Sequence, residues 1–165
     1  MKIIYSCYGG THSSPIAAAI HLGRLPDDRI PSAEELMKTD YYDKVSADIK
    51  GELIHCGEDE WGNQVYILGR GSCDPAIIAR VIRAGIALSG GHPEETLFID
   101  TLPHVNWKMR LGGYLSRVAD WVGLGRPLVI RGTQQAYRDL IKLVKGVQAD
   151  LWLKAKEENN GQSRS

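Results

Sequence analysis

Small and polar residues are concentrated near the N-terminus of the 165-residue chain, directly after a short apolar run. They are Cys7, Gly9, Gly10, Thr11, His12, Ser13 and Ser14. Glycine permits positive φ angles and a close approach of the backbone to a ligand. Hydroxyl and imidazole groups donate hydrogen bonds to oxyanions. The group therefore predicts a binding site for a phosphate or a similar anion, with a candidate catalytic thiol at Cys7.

The flanking segments predict how this group is positioned. Residues 2–8 form a β-prone apolar run that is typical of a strand buried on both sides. Ser14 as N-cap, Pro15 at the first helical position and Gly23 after the last turn predict a helix. The glycine turn then leads into a helix N-terminus, which favours bound anions and a nucleophilic thiolate.

The rest of the chain alternates between strand and helix patterns. Ser32 and Glu35 predict a capping box for a short helix. The other predicted strands are a β-hairpin over 52–56 and 64–68 and single strands over 96–100 and 127–131. A helix is predicted from Pro75, capped by Asp74, with an apolar face at Ile77, Ile78, Val81, Ile82 and Ile86. Two later helices are predicted, one with an apolar stripe at Leu111, Tyr114, Leu115, Val118 and Val122, and one with Tyr137, Leu140, Ile141, Val144 and Val147 inward.

This alternation predicts an α/β fold. We expect a three-layer sandwich with a mostly parallel sheet plus a β-hairpin, opened by a P-loop-like strand–loop–helix unit. One domain is expected over 1–156, followed by a disordered polar tail over 157–165.

Strand-to-helix loops of such a sheet share one edge, where α/β folds bind ligands. These loops are 9–14, 70–74, 101–106 and 132–135. At this edge Asp100 is a candidate proton carrier, and Asn106 and Arg131 are candidate ligand-binding residues. Arg131 is the best placed to bring a cation to the first loop, with Arg70 and Arg110 as alternatives.

The first loop lacks the lysine of a Walker A motif and the third glycine of the dinucleotide-binding fingerprint. The segment CYGGTHSSPIA at 7–17 resembles instead the phosphate loop of low-molecular-weight protein tyrosine phosphatases and their arsenate-reductase relatives, which reads Cys, five residues, Arg-Ser-Pro. The resemblance implies a thiolate nucleophile at Cys7 and a helix start at Ser14. Two departures are that Ser13 replaces the phosphate-clamping arginine and that the Asp-Pro pair lies at 74–75, far from the C-terminus.

Further segments carry a second resemblance along most of the chain. They are IIY at 3–5, YGGTHSS at 8–14, DEWGNQVY at 59–66, VNWKMRLGG at 105–113, GRP at 125–127 and GTQ at 132–134. They resemble an uncharacterised bacterial family, the domain of unknown function 3189. The resemblance implies a single cytoplasmic domain and brings no assigned activity.

Composition excludes several classes of partner. The 20 Lys and Arg residues balance 20 Asp and Glu residues, which argues against nucleic acid or an anionic membrane as a partner. No apolar run reaches the roughly 18 residues of a membrane span. Three cysteines without an export signal predict reduced thiols in the cytoplasm. Cys7, His12, Cys73 and His104 lack paired metal-ligand spacing, so no metal site is predicted.

Three functions are compatible with these residues. The first is binding of a phosphate or a phosphorylated small molecule or nucleotide, as in a phosphatase-like hydrolase or phosphotransferase using Cys7 and Asp100. The second is thiol redox or reductase chemistry, with Cys73 resolving Cys7. The third is a non-enzymatic ligand-sensing or partner-binding domain. The sequence specifies no cofactor and no oligomeric state.

Overall fold

The computed structural model of the protein describes residues 1–44, 50–117 and 121–162. Its strands are β1 (Lys2–Cys7), β2 (Leu53–Glu58), β3 (Gln64–Gly69) and β4 (Thr96–Asp100). Its α-helices are α1 (Ser13–His21), α2 (Ala33–Lys38), α3 (Pro75–Leu88), α4 (Trp107–Arg117) and α5 (Val122–Gln162), with 3-10 turns at Pro93–Glu95 and Leu102–His104.

The four strands form one sheet in the order β2-β3-β1-β4. Strand β1 is parallel to both of its neighbours, and β2 is antiparallel to β3, which confirms the mostly parallel sheet with a hairpin. Cys7 at the end of β1 lies opposite Gly69 of β3, and Ser6 lies opposite Asp100 of β4. The carboxyl ends of three parallel strands therefore meet at one edge, the position at which α/β sheets bind ligands.

Helices α1 and α5 cover one face of the sheet. Every residue of α1 is buried, as expected for a helix that is apolar nearly all round. It packs with Ile3 and Tyr5 of β1 and with Tyr137 and Leu140 of α5 in one core. Burial of several such side chains, at roughly 1.5–3 kcal/mol each, stabilises this layer.

Helix α3 lies outside that core and contacts β4, an arrangement compatible with a third layer. Asp74 caps it as predicted, because its Oδ1 accepts hydrogen bonds from the backbone N–H groups of Ala76 and Ile77. Its predicted apolar face is only partly covered, with Ile77 and Val81 more than half exposed and no residue of α3 buried.

The predicted strand over 127–131 is wrong, because these residues lie inside α5. A short apolar run is ambiguous between strand and helix, and its neighbours decide. The buried positions across this run recur with the helical period of 3.6 residues. They are Gly125, Val129, Gly132, Ala136 and Leu140. The loop predicted over 132–135 is consequently also helical, and α5 continues past Glu157 to Gln162.

Two smaller expectations also change. Helix α1 begins two residues earlier than predicted, with His12 in place of Ser14 at its N-cap position and Ser14 in its first turn. Among the α4 side chains that the structure describes, Met109 and Gly112 are at buried positions, whereas Leu111 and Tyr114 of the predicted stripe are exposed. The predicted position of Val118 and that of the side chain of Val122 lie outside the described residues. By contrast, the capping box of α2 between Ser32 and Glu35 is confirmed.

A buried polar network closes the opposite end of the sheet. The hydroxyl of Tyr5 lies 2.8 Å from Nδ1 of His21, and Nε2 of His21 lies 3.1 Å from Oδ2 of Asp59. The Asp59 carboxylate can only accept, so Nε2 of His21 donates to it, and in a neutral imidazole Nδ1 is then the acceptor for the Tyr5 hydroxyl. Burial, followed by the charge of Asp59, raises the pKa of Tyr5 well above its ordinary value, which keeps the phenol a donor.

Candidate functional site

The turn that follows β1 is held between the ends of β3 and β4. The backbone N–H of Arg70 donates to the carbonyl of Cys7 at 2.9 Å, and that of Thr101 donates to the carbonyl of Ser6 at 2.8 Å. The segments that follow all three parallel strands are thus in direct contact, as the strand order requires. We call residues 7–14 the Cys7 loop.

The sulfur of Cys7 is enclosed by its own loop. Its side chain is buried, with the residue 4% exposed. The backbone N–H of Gly10 donates to Sγ at 3.2 Å, and the hydroxyl oxygen of Ser14 lies 3.1 Å from the same atom. Both groups are able to donate to a thiolate, and Ser14 lies in the first turn of α1, where the helix dipole favours negative charge.

Backbone packing requires glycine at position 10 of the loop and at position 69 of β3, which faces it. Gly10 has a φ of +71°, and a Cβ there would lie 2.9 Å from the backbone nitrogen of Gly69. A Cβ on Gly69 would in turn lie 2.9 Å from the carbonyl carbon of Gly9. The turn is therefore pressed against the end of β3, which explains both glycines without any ligand.

The hydroxyls of the loop have protein partners. Thr11 donates from Oγ1 to the carbonyl of Tyr41 at 3.2 Å. Thr101 donates from Oγ1 to the carbonyl of Ser6, so the hydroxyl of Ser13, 2.8 Å away, donates to Thr101. Thr11 and Ser13 therefore fix the loop to the strand ends and to the segment around Tyr41.

His12 is paired with a carboxylate that the sequence did not single out. Its Nε2 lies 3.3 Å from Oδ1 of Asp43, while Oδ2 of Asp43 accepts from Nε of Arg126 at 3.0 Å. The side chain of Asp43 is fully buried, and its backbone N–H donates to the carbonyl of Thr11. Asp43 adopts a φ of +51°, which Asp tolerates better than most residues. No local pattern marks Asp43, because its partners are 31 and 83 residues away.

The ring of His12 also sets the position of α4. A Cβ at Gly113 would lie 2.8 Å from Cε1 of His12. Only a glycine at this place lets the imidazole lie directly against the helix. His12 is thereby held between Gly113 on one side and Asp43 on the other.

Asp100 is bound by an arginine of the neighbouring strand end. Nη2 and Nε of Arg70 donate to its two carboxylate oxygens at 3.0 and 3.3 Å. Nη1 of Arg70 donates to the carbonyl of Cys73 at 2.5 Å, and the N–H of Leu102 donates to Oδ1 of Asp100. Asp100 thus holds the guanidinium of Arg70 in place, while the backbone N–H of Arg70 is bonded to the carbonyl of Cys7.

The other two candidate ligand residues lie elsewhere. The amide of Asn106 donates from Nδ2 to the carbonyl of Gly132 at 2.7 Å and accepts at Oδ1 from the N–H of Met109. It therefore begins α4 and ties it to α5. Arg131 lies on the surface of α5 beside a separate groove, with Lys108 and Arg138.

The side chains that could ligate a metal ion are not clustered in the described part of the chain. Among residues 1–44, 50–117 and 121–162, no group of three or more His, Cys, Asp or Glu side chains is arranged to hold a metal ion. Cys7, Cys56 and Cys73 are all free thiols, of which Cys73 is exposed. Burial raises the pKa of Cys56 to about 11, an effect that nearby Arg24 partly offsets.

The fold and the site define an open α/β protein with a thiol enclosed by a glycine turn at the carboxyl end of its central strand. The chain belongs to the family described as Protein of unknown function (DUF3189), whose model matches residues 2–149. No curated protein and no solved structure matches the chain. Within the described ranges, no helix combines the length and apolar character that crossing a membrane requires.

Proposed function

We propose that this is a cytoplasmic protein whose Cys7 loop binds a phosphate or a phosphorylated small molecule, with Cys7 as its reactive thiol. The observation that carries the proposal is the pair of contacts to the sulfur, from the N–H of Gly10 and from the hydroxyl of Ser14. Both groups can donate a hydrogen bond to a negatively charged atom, and the backbone N–H groups and dipole at a helix start favour a bound oxyanion.

Arg70 supports the proposal by supplying the cation that the loop itself lacks. Its side chain is 7% exposed, and its backbone N–H is bonded to the carbonyl of Cys7. A guanidinium recognises a phosphate as it recognises a carboxylate, through two parallel hydrogen bonds. In this proposal an incoming phosphate takes up donors of Arg70 that Asp100 otherwise occupies, and Asp100 acts as a positioning residue.

In its hydrolytic form the proposal has two balanced steps. The Cys7 thiolate attacks phosphorus, an S–P bond forms, the ester P–O bond breaks and the leaving oxygen takes a proton from water. A water molecule then attacks phosphorus, the S–P bond breaks, and phosphate leaves as the thiolate is restored. If the loop only senses the anion, binding occurs without either step.

Thermal unfolding in the presence of phosphate or arsenate tests the binding, and hydrolysis of an aryl phosphate tests the chemistry. An anion at a hundredfold excess over its Kd adds about 2.7 kcal/mol of stability. We expect stabilisation of the wild type to be reduced in Cys7→Ser and in Ser14→Ala, while the matched exposed variants Cys73→Ser and Ser89→Ala respond like the wild type. Stabilisation without turnover would assign the sensing form. Absence of any stabilisation, or equal stabilisation of Cys7→Ser, would overturn the proposal.

One observation favours thiol redox chemistry as a second candidate. The backbone N–H groups of Arg70 and Gly71 bond to the carbonyls of Cys7 and Tyr8, which places the segment bearing Cys73 against the Cys7 loop. Two thiols and hydrogen peroxide would give one disulfide and two water molecules. Peptide mapping after peroxide treatment tests this: a Cys7–Cys73 disulfide supports it, and oxidised protein without that disulfide contradicts it.

A further inference from the structure

A basic groove of about 650 Å³ runs along α5, away from the Cys7 loop. Its walls are the segment 29–32, the first turn of α4 and the middle of α5, and its charged and amide side chains are Arg29, Lys108, Arg131, Gln134, Gln135 and Arg138. The described residues that line it include four cations and no Asp or Glu. It shares no lining residue with the Cys7 loop.

Three of these cations have no carboxylate partner among the described residues. In the part of the chain that the structure describes, no ion pair involves Lys108, Arg131 or Arg138. Arg29 is different, because Glu35 binds its guanidinium at 2.5 and 3.0 Å. The whole chain has 20 basic and 20 acidic residues, so the excess of positive charge in the groove is a local feature.

The groove is built by contacts between separate segments. Nε2 of Gln134 donates to the carbonyl of Pro31 at 3.0 Å, which fixes the 29–32 wall against α5. Asn106 begins α4 and bonds to the carbonyl of Gly132, which brings Lys108 to the other wall. Arg131 and Arg138 are two helical turns apart, about 10 Å along α5. The cations are therefore spread over the length of the groove and do not converge on one point.

We propose that this groove binds a small ligand that carries two or more phosphate groups. Arginine is suited to phosphate by its planar fork of donors, and lysine adds a point charge. Positive charges that are spread over about 10 Å match several linked phosphate groups better than they match a single phosphate. The volume lies in the range of about 300–1,000 Å³ typical of small-molecule sites. A zero net charge disfavours the alternative of a long nucleic acid, which needs a broad basic surface.

Calorimetric titration with inorganic tripolyphosphate tests the site. We expect the double variant Arg131→Gln/Arg138→Gln to weaken binding by at least about tenfold, since it removes two charge-assisted contacts. The control Arg80→Gln/Lys154→Gln makes the same change of charge at exposed positions on α3 and late α5, and should change the Kd less than about twofold. The binding event that Arg131→Gln/Arg138→Gln weakens should persist in Cys7→Ser, and orthophosphate should bind this groove more weakly than tripolyphosphate does.

Several outcomes would overturn the groove as the site. They are no binding of tripolyphosphate, an equal loss in the control double variant, or binding that is lost in Cys7→Ser and kept in Arg131→Gln/Arg138→Gln. Tighter binding of an RNA oligonucleotide or a polyglutamate peptide at the same residues would overturn the small-ligand class. Because Cys7→Ser separates the two sites, failure here leaves the proposed function of the Cys7 loop to its own test.

Discussion

The hydroxyl oxygen of Ser14 lies 3.1 Å from the sulfur of Cys7, seven residues earlier in the chain. The contact joins the last residue of the central strand to the first turn of the helix that follows it. It is possible because Gly9 and Gly10 fold the intervening turn tightly against Gly69. Strand, turn and helix thus act as one unit that surrounds a single thiol with donors.

A side chain at Gly10 should be destabilising for two reasons, the positive φ angle and the contact with Gly69. Gly71 serves as the control that separates them. Both residues have positive φ angles, but a Cβ on Gly71 meets nothing within 4 Å, whereas one on Gly10 meets the backbone of Gly69. We expect Gly71→Ala to lower the free energy of unfolding by about 1 kcal/mol, the cost of its conformation. Gly10→Ala should lose about 1–3 kcal/mol more, because backbone must move. Urea denaturation measures both, and equal losses would show that the contact with Gly69 is unimportant.

Close packing of α4 on α5 depends on Gly112. A Cβ there would lie 2.6 Å from the backbone nitrogen of Val129 and 2.8 Å from the carbonyl oxygen of Gly125. Gly112→Ala should therefore destabilise the protein by about 1–3 kcal/mol, although alanine is the better helix former.

Gly146 provides the matched control for that substitution. It also lies inside a helix, but a Cβ there has open space around it. Gly146→Ala should raise the free energy of unfolding by about 0.5–1 kcal/mol. Changes of the same sign in the two variants would contradict the close contact between α4 and α5.

The buried network at Asp59 predicts a dependence of stability on pH. Burial by itself raises the pKa of Asp59, but hydrogen bonds from Asn63, His21 and Trp61 outweigh it, so the pKa is lowered overall. The folded pKa then lies below the unfolded value of about 3.9, and the stabilisation is complete above that value. It is lost as the pH falls through the lower, folded pKa.

Asp59→Asn tests this contribution. Each carboxylate oxygen accepts two hydrogen bonds, and an amide offers only one oxygen to these donors. We expect a loss of about 1–3 kcal/mol at pH 7 and a smaller decline of stability between pH 5 and pH 2 than in the wild type. Parallel pH profiles for the two proteins would show that the carboxylate does not contribute as described.

Cys56 should react slowly with alkylating agents near neutral pH. Burial raises its pKa to about 11, so few molecules carry the thiolate at pH 8. Its alkylation rate, followed by peptide mass spectrometry, should keep rising with pH toward 11. A plateau by pH 9 would contradict the effect of burial.

Local patterns predicted the parts of the fold that depend on neighbours in sequence. The hairpin, the capping box at Ser32 and the Asp74 cap are all set by residues a few positions apart. The strand predicted over 127–131 failed because the packing of α5 against α4 and the core outweighs local β-propensity. Such packing becomes visible only once the chain is folded.

The candidate site also has features that local sequence patterns predicted and features that they did not. The turn after β1 and its position at the sheet edge followed from the glycines and from strand order. The pairing of His12 with Asp43 and that of Asp100 with Arg70 join distant segments, so no spacing in the sequence indicates them. Arg131 ends a short apolar run, which suggested a strand end, yet its helical position directs it to another surface.

Alkylation of the wild-type protein with iodoacetamide, with and without phosphate at equal ionic strength, tests the central claim most directly. Peptide mass spectrometry follows all three thiols, with exposed Cys73 as the reference for reagent and half-buried Cys56 as the reference for global stabilisation. We predict that phosphate slows alkylation of Cys7 by a larger factor than that of Cys56 and leaves Cys73 unchanged. Equal rates at Cys7 with and without phosphate and arsenate would contradict an oxyanion site at the Cys7 loop.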